Sequence, residues 1–144
     1  MGLSTFTPSQ SLALDTNILI TAFNNPKGKS GKLLEKIKEI SPQVFISTIV
    51  FEEFLVEIYK KNLEKDLAGY EDFITGGGLF IVVNVDRQIA RRAAQLRASY
   101  SSIRAPDAIH LATALESKAK IFITADRRLP RKINRLKIEV ISES

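Results

Sequence analysis

The sequence predicts an α/β fold in which a mainly parallel sheet is covered by helices on both faces. Two observations predict it. Short apolar runs of strand length alternate with longer segments whose apolar residues recur at helical spacing. Successive strands are also separated by stretches long enough to cross back over a sheet, the connection that parallel neighbours require. No linker, repeat or low-complexity segment interrupts the 144 residues, so 1–144 reads as a single domain.

The elements follow in order. Residues 11–14 form a short apolar strand that runs into Asp15-Thr16-Asn17, residues that start helices, and a first helix continues over 18–23. Asn24-Asn25-Pro26 breaks it. A second helix over 30–40 places Leu33, Leu34, Ile37 and Ile40 on one face, and Pro42 follows it. Val44–Ser47 reads as the second strand. The clearest helical period lies over 48–62, where Val50, Phe51, Phe54, Leu55, Ile58 and Tyr59 recur. Another helical stretch covers 63–74 before Gly76-Gly77-Gly78 turns the chain into a third strand at 79–84. Asp86 suits the N-cap of a helix ending near Ser99, with Ile89, Ala93 and Leu96 inward. Pro106 suits the first position of a helix over 106–118. A fourth strand covers 120–124, Asp126 opens a short helix, and 138–141 is an edge strand.

Composition limits the chemistry. The chain contains no cysteine, which removes disulfides, thiolate metal sites and cysteine nucleophiles, and a single histidine. A hydrophobic share of 44% with 26% charged residues is that of a soluble globular protein. No leader, lipidation signal or apolar run of membrane-spanning length is read, so the expectation is a cytoplasmic protein without membrane contact. A formal net charge of +5 favours polyanionic partners, nucleic acid first among them.

Ligands of open α/β sheets bind beyond the carboxyl ends of the strands, and acids collect at that edge here. Asp15 directly follows the first strand, and Asp126 lies two residues past the fourth. Glu53 sits in the second turn of the helix after Val44–Ser47, and Asp107 in the first turn of its own helix. Clustered carboxylates repel one another, and a hard divalent cation such as Mg²⁺ gives them a reason to converge. Such an ion supports hydrolysis of a phosphodiester without a histidine or cysteine nucleophile. Each acid also has an ordinary use: Asp15 and Asp126 as helix N-caps, Asp107 at the positive end of its helix, Glu53 as a solvated residue.

At these positions the chain resembles the PIN-domain family of metal-dependent nucleases. The likeness lies in Leu14-Asp-Thr-Asn17, Ser47-Thr-Ile-Val-Phe-Glu-Glu53, Pro106-Asp-Ala-Ile-His-Leu-Ala-Thr-Ala-Leu115 and Ile123-Thr-Ala-Asp126, which together span most of the chain. It implies a three-layer α/β/α sandwich. It also implies Asp15, Glu53, Asp107 and Asp126 as metal-centred catalytic carboxylates, Asn17 and Thr124 as supporting groups, and Mg²⁺ or Mn²⁺ as the ion. Glu52 is excluded by the family's register rather than by the helical wheel. Within the family the compact form is similar to the toxin ribonucleases of VapBC-type pairs, which implies RNA hydrolysis, a homodimer and a small antitoxin partner. A non-catalytic binding module and a DNA-directed nuclease are the alternatives.

Family members often carry a further acid and an aromatic after the last aspartate, whereas here Asp126 is followed by Arg127, Arg128 and Leu129. These arginines open the densest basic run, which continues through Arg131, Lys132, Arg135 and Lys137. Arg104, Arg127, Arg128 and Arg131 are the candidate RNA contacts, with solvated helix residues as the alternative. His110, a lone histidine one turn after Asp107, reads as structural. Gly28-Lys-Ser30 lacks the earlier glycine of a phosphate loop, because position 23 is Phe.

Overall fold

A computed structural model describes residues 6–142 of the chain. The elements are β1 (Leu12–Leu14), α1 (Thr16–Asn24), α2 (Lys29–Ile40), β2 (Val44–Ser47), α3 (Thr48–Lys60), α4 (Leu67–Thr75), β3 (Ile81–Val83), α5 (Arg87–Ser99), α6 (Ala105–Glu116), β4 (Ile121–Thr124), β5 (Lys132–Ile133) and β6 (Leu136–Val140). One six-stranded sheet has the order β3-β2-β1-β4-β6-β5. Every pairing in it is parallel except that between β5 and β6.

Alternation along the strands builds the two faces. Leu12, Leu14, Val44, Ile46, Ile121 and Ile123 point to one side, where they pack with Ile18 and Leu19 of α1, Leu33 and Ile37 of α2, and Val50, Phe54 and Ile58 of α3. Their neighbours Ala13 and Phe122 point to the other, against Ile89, Ala93 and Leu96 of α5 and Ala108, Leu111 and Ala112 of α6. The result is an α/β/α sandwich, as the sequence predicts. Aromatic rings extend the first core: Phe54 meets Phe23 edge-on at 5.7 Å, and Phe23 meets Tyr70 at 5.5 Å.

The strand order fixes where a ligand belongs. The chain builds outward from β1 to β2 and β3, then returns to lay β4 on the other side of β1. The two directions part between β1 and β4, and the crevice above their carboxyl ends is the topological switch point. Asp15 follows β1 there, and Thr124 closes β4.

Three expectations need correction. Asp126 opens turns, not a helix: Pro130 lacks a donor and biases Leu129 away from helical backbone, so the basic run lies on turns and a hairpin. The last strand is not at the edge, because the short β5 pairs outside β6, across a turn that takes Asn134 to φ 53°. The helical stretch predicted over 63–74 begins as a 3-10 turn, Glu64–Asp66, before α4.

The start of α2 constrains the sequence tightly. A Cβ on Gly31 would lie 2.0 Å from the backbone oxygen of Pro26, whereas one on Gly69 in α4 would meet nothing within 4 Å. We expect Gly31→Ala to cost about 1–3 kcal/mol through backbone displacement. Gly69→Ala should gain about 0.5–1 kcal/mol from helix propensity. Urea denaturation of the two variants checks the contrast, and equal midpoints would contradict it.

Candidate active site

Asp15 occupies the N-cap position of α1, yet its side chain makes no capping hydrogen bond. The carboxylate turns into the switch-point crevice and is 4% exposed. There Thr124 Oγ1 donates to its Oδ2 at 2.7 Å and Asn17 Nδ2 at 3.3 Å. These two supports are themselves anchored, because the Asp126 N–H donates to Thr124 Oγ1 at 3.0 Å and the Ala125 N–H to Asn17 Oδ1 at 3.2 Å. The ordinary use of an aspartate at this position is therefore given up for a buried charge held by β4 and α1.

The other acids gather around it. Asp107 lies in the first turn of α6, half-buried, with its carboxylate facing both Asp15 and Asp126 closely enough to raise Asp15's pKa and to have its own raised by Asp126. Burial is the larger cause for Asp15 and for Asp107, and both sit above the usual aspartate value. Asp126 goes the other way. Arg128 grips it, Nε to Oδ1 at 3.0 Å and Nη2 to Oδ2 at 2.8 Å, and holds its carboxyl below the usual range.

Glu53 joins through a histidine. Its Oε1 accepts from Thr16 Oγ1 at 2.5 Å and lies 3.0 Å from His110 Nε2, and the His110 hydrogen bond holds its pKa down. His110 is 3% exposed, with Nδ1 at 3.3 Å from Ser47 Oγ and Nε2 at 4.0 Å from Asp15 Oδ1. Ser47 Oγ already accepts from the backbone N–H groups of Ile49 and Val50, so its hydroxyl proton is free to be donated to Nδ1. Nε2 is then the ring nitrogen that faces the Glu53 carboxylate as donor. The sequence reading of His110 as a lone structural residue missed this bridge, along with Thr16 and Ser47. The only local signal is that His110 stands three residues after Asp107, on the same side of the helix, while its partners Ser47 and Glu53 lie more than fifty residues away.

Of the remaining candidates, Arg104 is the N-cap residue of α6, and its charge helps to hold the Asp126 pKa down. Arg127 and Arg131 line a separate basic cleft of about 510 Å³ beside the carboxyl end of β6, together with Lys29, Lys137 and Glu139. Lys137 is paired with Glu139 at 3.3 Å. Arg131 Nη1 is fixed by the carbonyls of Leu129 at 2.6 Å and Arg127 at 3.3 Å.

The donor chemistry of Asp15, Asp107 and Asp126 fits a hard divalent cation: oxygen ligands only, close enough to disfavour one another's ionisation. Among the described residues, no three His, Asp or Glu side chains stand ready-closed around a common point. Arg128 holds Asp126 instead, and His110 with Thr16 holds Glu53.

Comparison with known proteins accords with the fold. The family model for the PIN domain matches residues 12–134. A chain in a toxin–antitoxin complex from Klebsiella pneumoniae is 30% identical, with a TM-score of 0.62, covering 80% of this chain and 86% of that one. DNA-bound VapBC from Salmonella typhimurium shows the same fold at a TM-score of 0.71 and 24% identity, over 91% of this chain and 98% of that one. VapBC2 from Rickettsia felis, bound to a promoter DNA fragment, does so at 0.69 and 20%, over 91% and 98%. No curated protein matches the sequence.

Because the Asp15 pKa is raised on folding, its contribution to stability is full below the unfolded-state pKa and is lost as pH rises through the folded value. Asp15→Asn removes that charge and keeps an amide oxygen for Thr124 to donate to. In EDTA, the variant should therefore melt above the unsubstituted protein at pH 8, with a smaller difference at pH 5. Thermal melts at the two values check this, and an equal or lower melting temperature at pH 8 would refute it.

Proposed function

Because the chain belongs to the PIN domain family, we propose that it is a metal-dependent endoribonuclease that hydrolyses RNA phosphodiester bonds as the toxin of a toxin–antitoxin pair. The family and the toxin–antitoxin neighbours support a toxin nuclease. The observation that carries the rest is Asp15: a helix-capping position whose carboxylate is buried, uncapped and electrostatically joined to Asp107, which is joined in turn to Asp126.

In this reading Asp15, Glu53, Asp107 and Asp126 are the catalytic and metal-holding acids, directly or through water. Mg²⁺ or Mn²⁺ would supply Lewis-acid chemistry, polarising water and neutralising phosphate charge. The chain's own groups do the rest. Thr124 and Asn17 orient Asp15, while Ser47, His110 and Thr16 orient Glu53. In this reading Arg104 and Arg128, whose charges act on Asp126, would meet an approaching phosphate, and Arg127 and Arg131 would receive the neighbouring backbone of the strand in the basic cleft they line.

The same reading brings a single catalytic domain, a homodimer, a cytoplasmic setting and a small antitoxin protein as partner. No helix among the described residues is long and apolar enough to cross a membrane. In this reading an apolar cleft of about 490 Å³, lined by Leu19, Phe23, Leu34, Phe54, Tyr70 and Phe73, would receive the antitoxin.

Incubation of a labelled RNA with the protein and Mn²⁺ should yield internal cleavage that EDTA abolishes. Asp15→Asn should fold and lose on the order of 10²–10³-fold in rate, the scale on which one electrostatic contact to the transition state is removed. A matched DNA strand should be spared. Full activity of Asp15→Asn, or cleavage unaffected by EDTA, would end the proposal.

Binding gives a second test. In the Asp15→Asn background, Arg127→Gln with Arg131→Gln should flatten the salt dependence of single-stranded RNA affinity by about 1.4 in the log–log slope, at roughly 0.7 per lost phosphate contact. Arg135→Gln, beside Lys118 and Lys120 in a pocket on the far side, should leave the slope unchanged. Fluorescence anisotropy between low and moderate salt measures both.

A further inference from the structure

The acids at the switch point are already neutralised in part, by a residue of their own chain. Arg128 follows Asp126 by two positions and closes a bidentate pair on it, with the Arg128 backbone N–H adding a third contact to Oδ1 at 2.9 Å. Both carboxylate oxygens of Asp126 are thereby engaged. The guanidinium also lies near enough to Asp107 to feel its charge. Its other side is open: the Arg128 side chain is 53% exposed, while that of Asp126 is 13%. A guanidinium and a hard divalent ion seek the same lone pairs, and their positive charges repel. The pair sits on a turn rather than in a helix, so Arg128 can swing away without disturbing the core.

We propose that Arg128 is a built-in competitor for the cation: in the free protein its guanidinium occupies Asp126, and a divalent ion binding at the acid cluster must displace it. This rests on the nuclease reading for the identity of the ion, and it adds a regulation of the same site. Coupling of this kind is reciprocal, so whatever draws Arg128 off Asp126 tightens the ion, and a phosphate drawn to the freed guanidinium does so. The cluster is then weakly loaded until an anionic substrate arrives.

The test is calorimetric titration of Mn²⁺ alone into the full chain, without RNA. Arg128→Gln should bind Mn²⁺ roughly fivefold more tightly than the unsubstituted protein, the scale of one exposed ion pair. Asp126→Asn should bind it more weakly, and adding Arg128→Gln to Asp126→Asn should bring no further gain. Circular dichroism verifies that the variants are folded. Equal or weaker binding by Arg128→Gln would overturn the proposal, and so would an equal gain in the Asp126→Asn background, which would mark a general field effect. If that happened while Mn²⁺-dependent cleavage persisted, only the competitor would fall. If no variant bound Mn²⁺ and no RNA were cut, the metal-dependent reading would fall with it.

Discussion

Everything at the candidate site depends on keeping one carboxylate ionisable where water hardly reaches. Asp15 is nearly inaccessible and its burial disfavours the charge. Two donors, Thr124 and Asn17, offset part of that cost, and each is tied to the backbone of the segment after β4. The arrangement exists because β1 and β4 are neighbours although more than a hundred residues separate them. A sheet built in a single direction from β1 would have left Asp15 as a simple helix cap.

The second support runs through α3 and α6. Ser47 ends β2 and caps α3, and with the same oxygen it meets His110 on α6, which reaches back to Glu53 on α3. Asp15 and Glu53 therefore do not hang from separate loops. Three helix starts and two strand ends are locked to one another by short polar contacts, and the covering cores on both faces leave those starts little freedom. Rigid placement of this kind is what electrostatic chemistry on a phosphodiester demands.

Much of this was legible before any coordinates. Period and punctuation gave the order of strands and helices, and the rule that ligands gather at strand carboxyl ends pointed to Asp15 and Asp126. What stayed hidden depended on contacts across the chain. His110 looks ordinary in isolation, since nothing local says that Glu53 and Ser47, more than fifty residues away, face it. The stretch after Asp126 was misread because its basic residues look helical, while Pro130 and Asn134 make turns of it. Sequence also showed Arg127 and Arg128 as equivalent cations. The fold separates them, one toward an open cleft and the other onto an acid.

The placement of β6 carries a consequence for how the protein is made. β4, which delivers Thr124 and leads to Asp126, has β1 on one side and β6 on the other. Until β6 has left the ribosome, β4 is an open margin, its outer hydrogen-bonding groups unclaimed and Phe122 short of its neighbours Leu136 and Ile138. The pocket thus takes its final form only once β6 has been laid down. A nascent chain stalled before residue 136 holds the acids without the frame that aligns them.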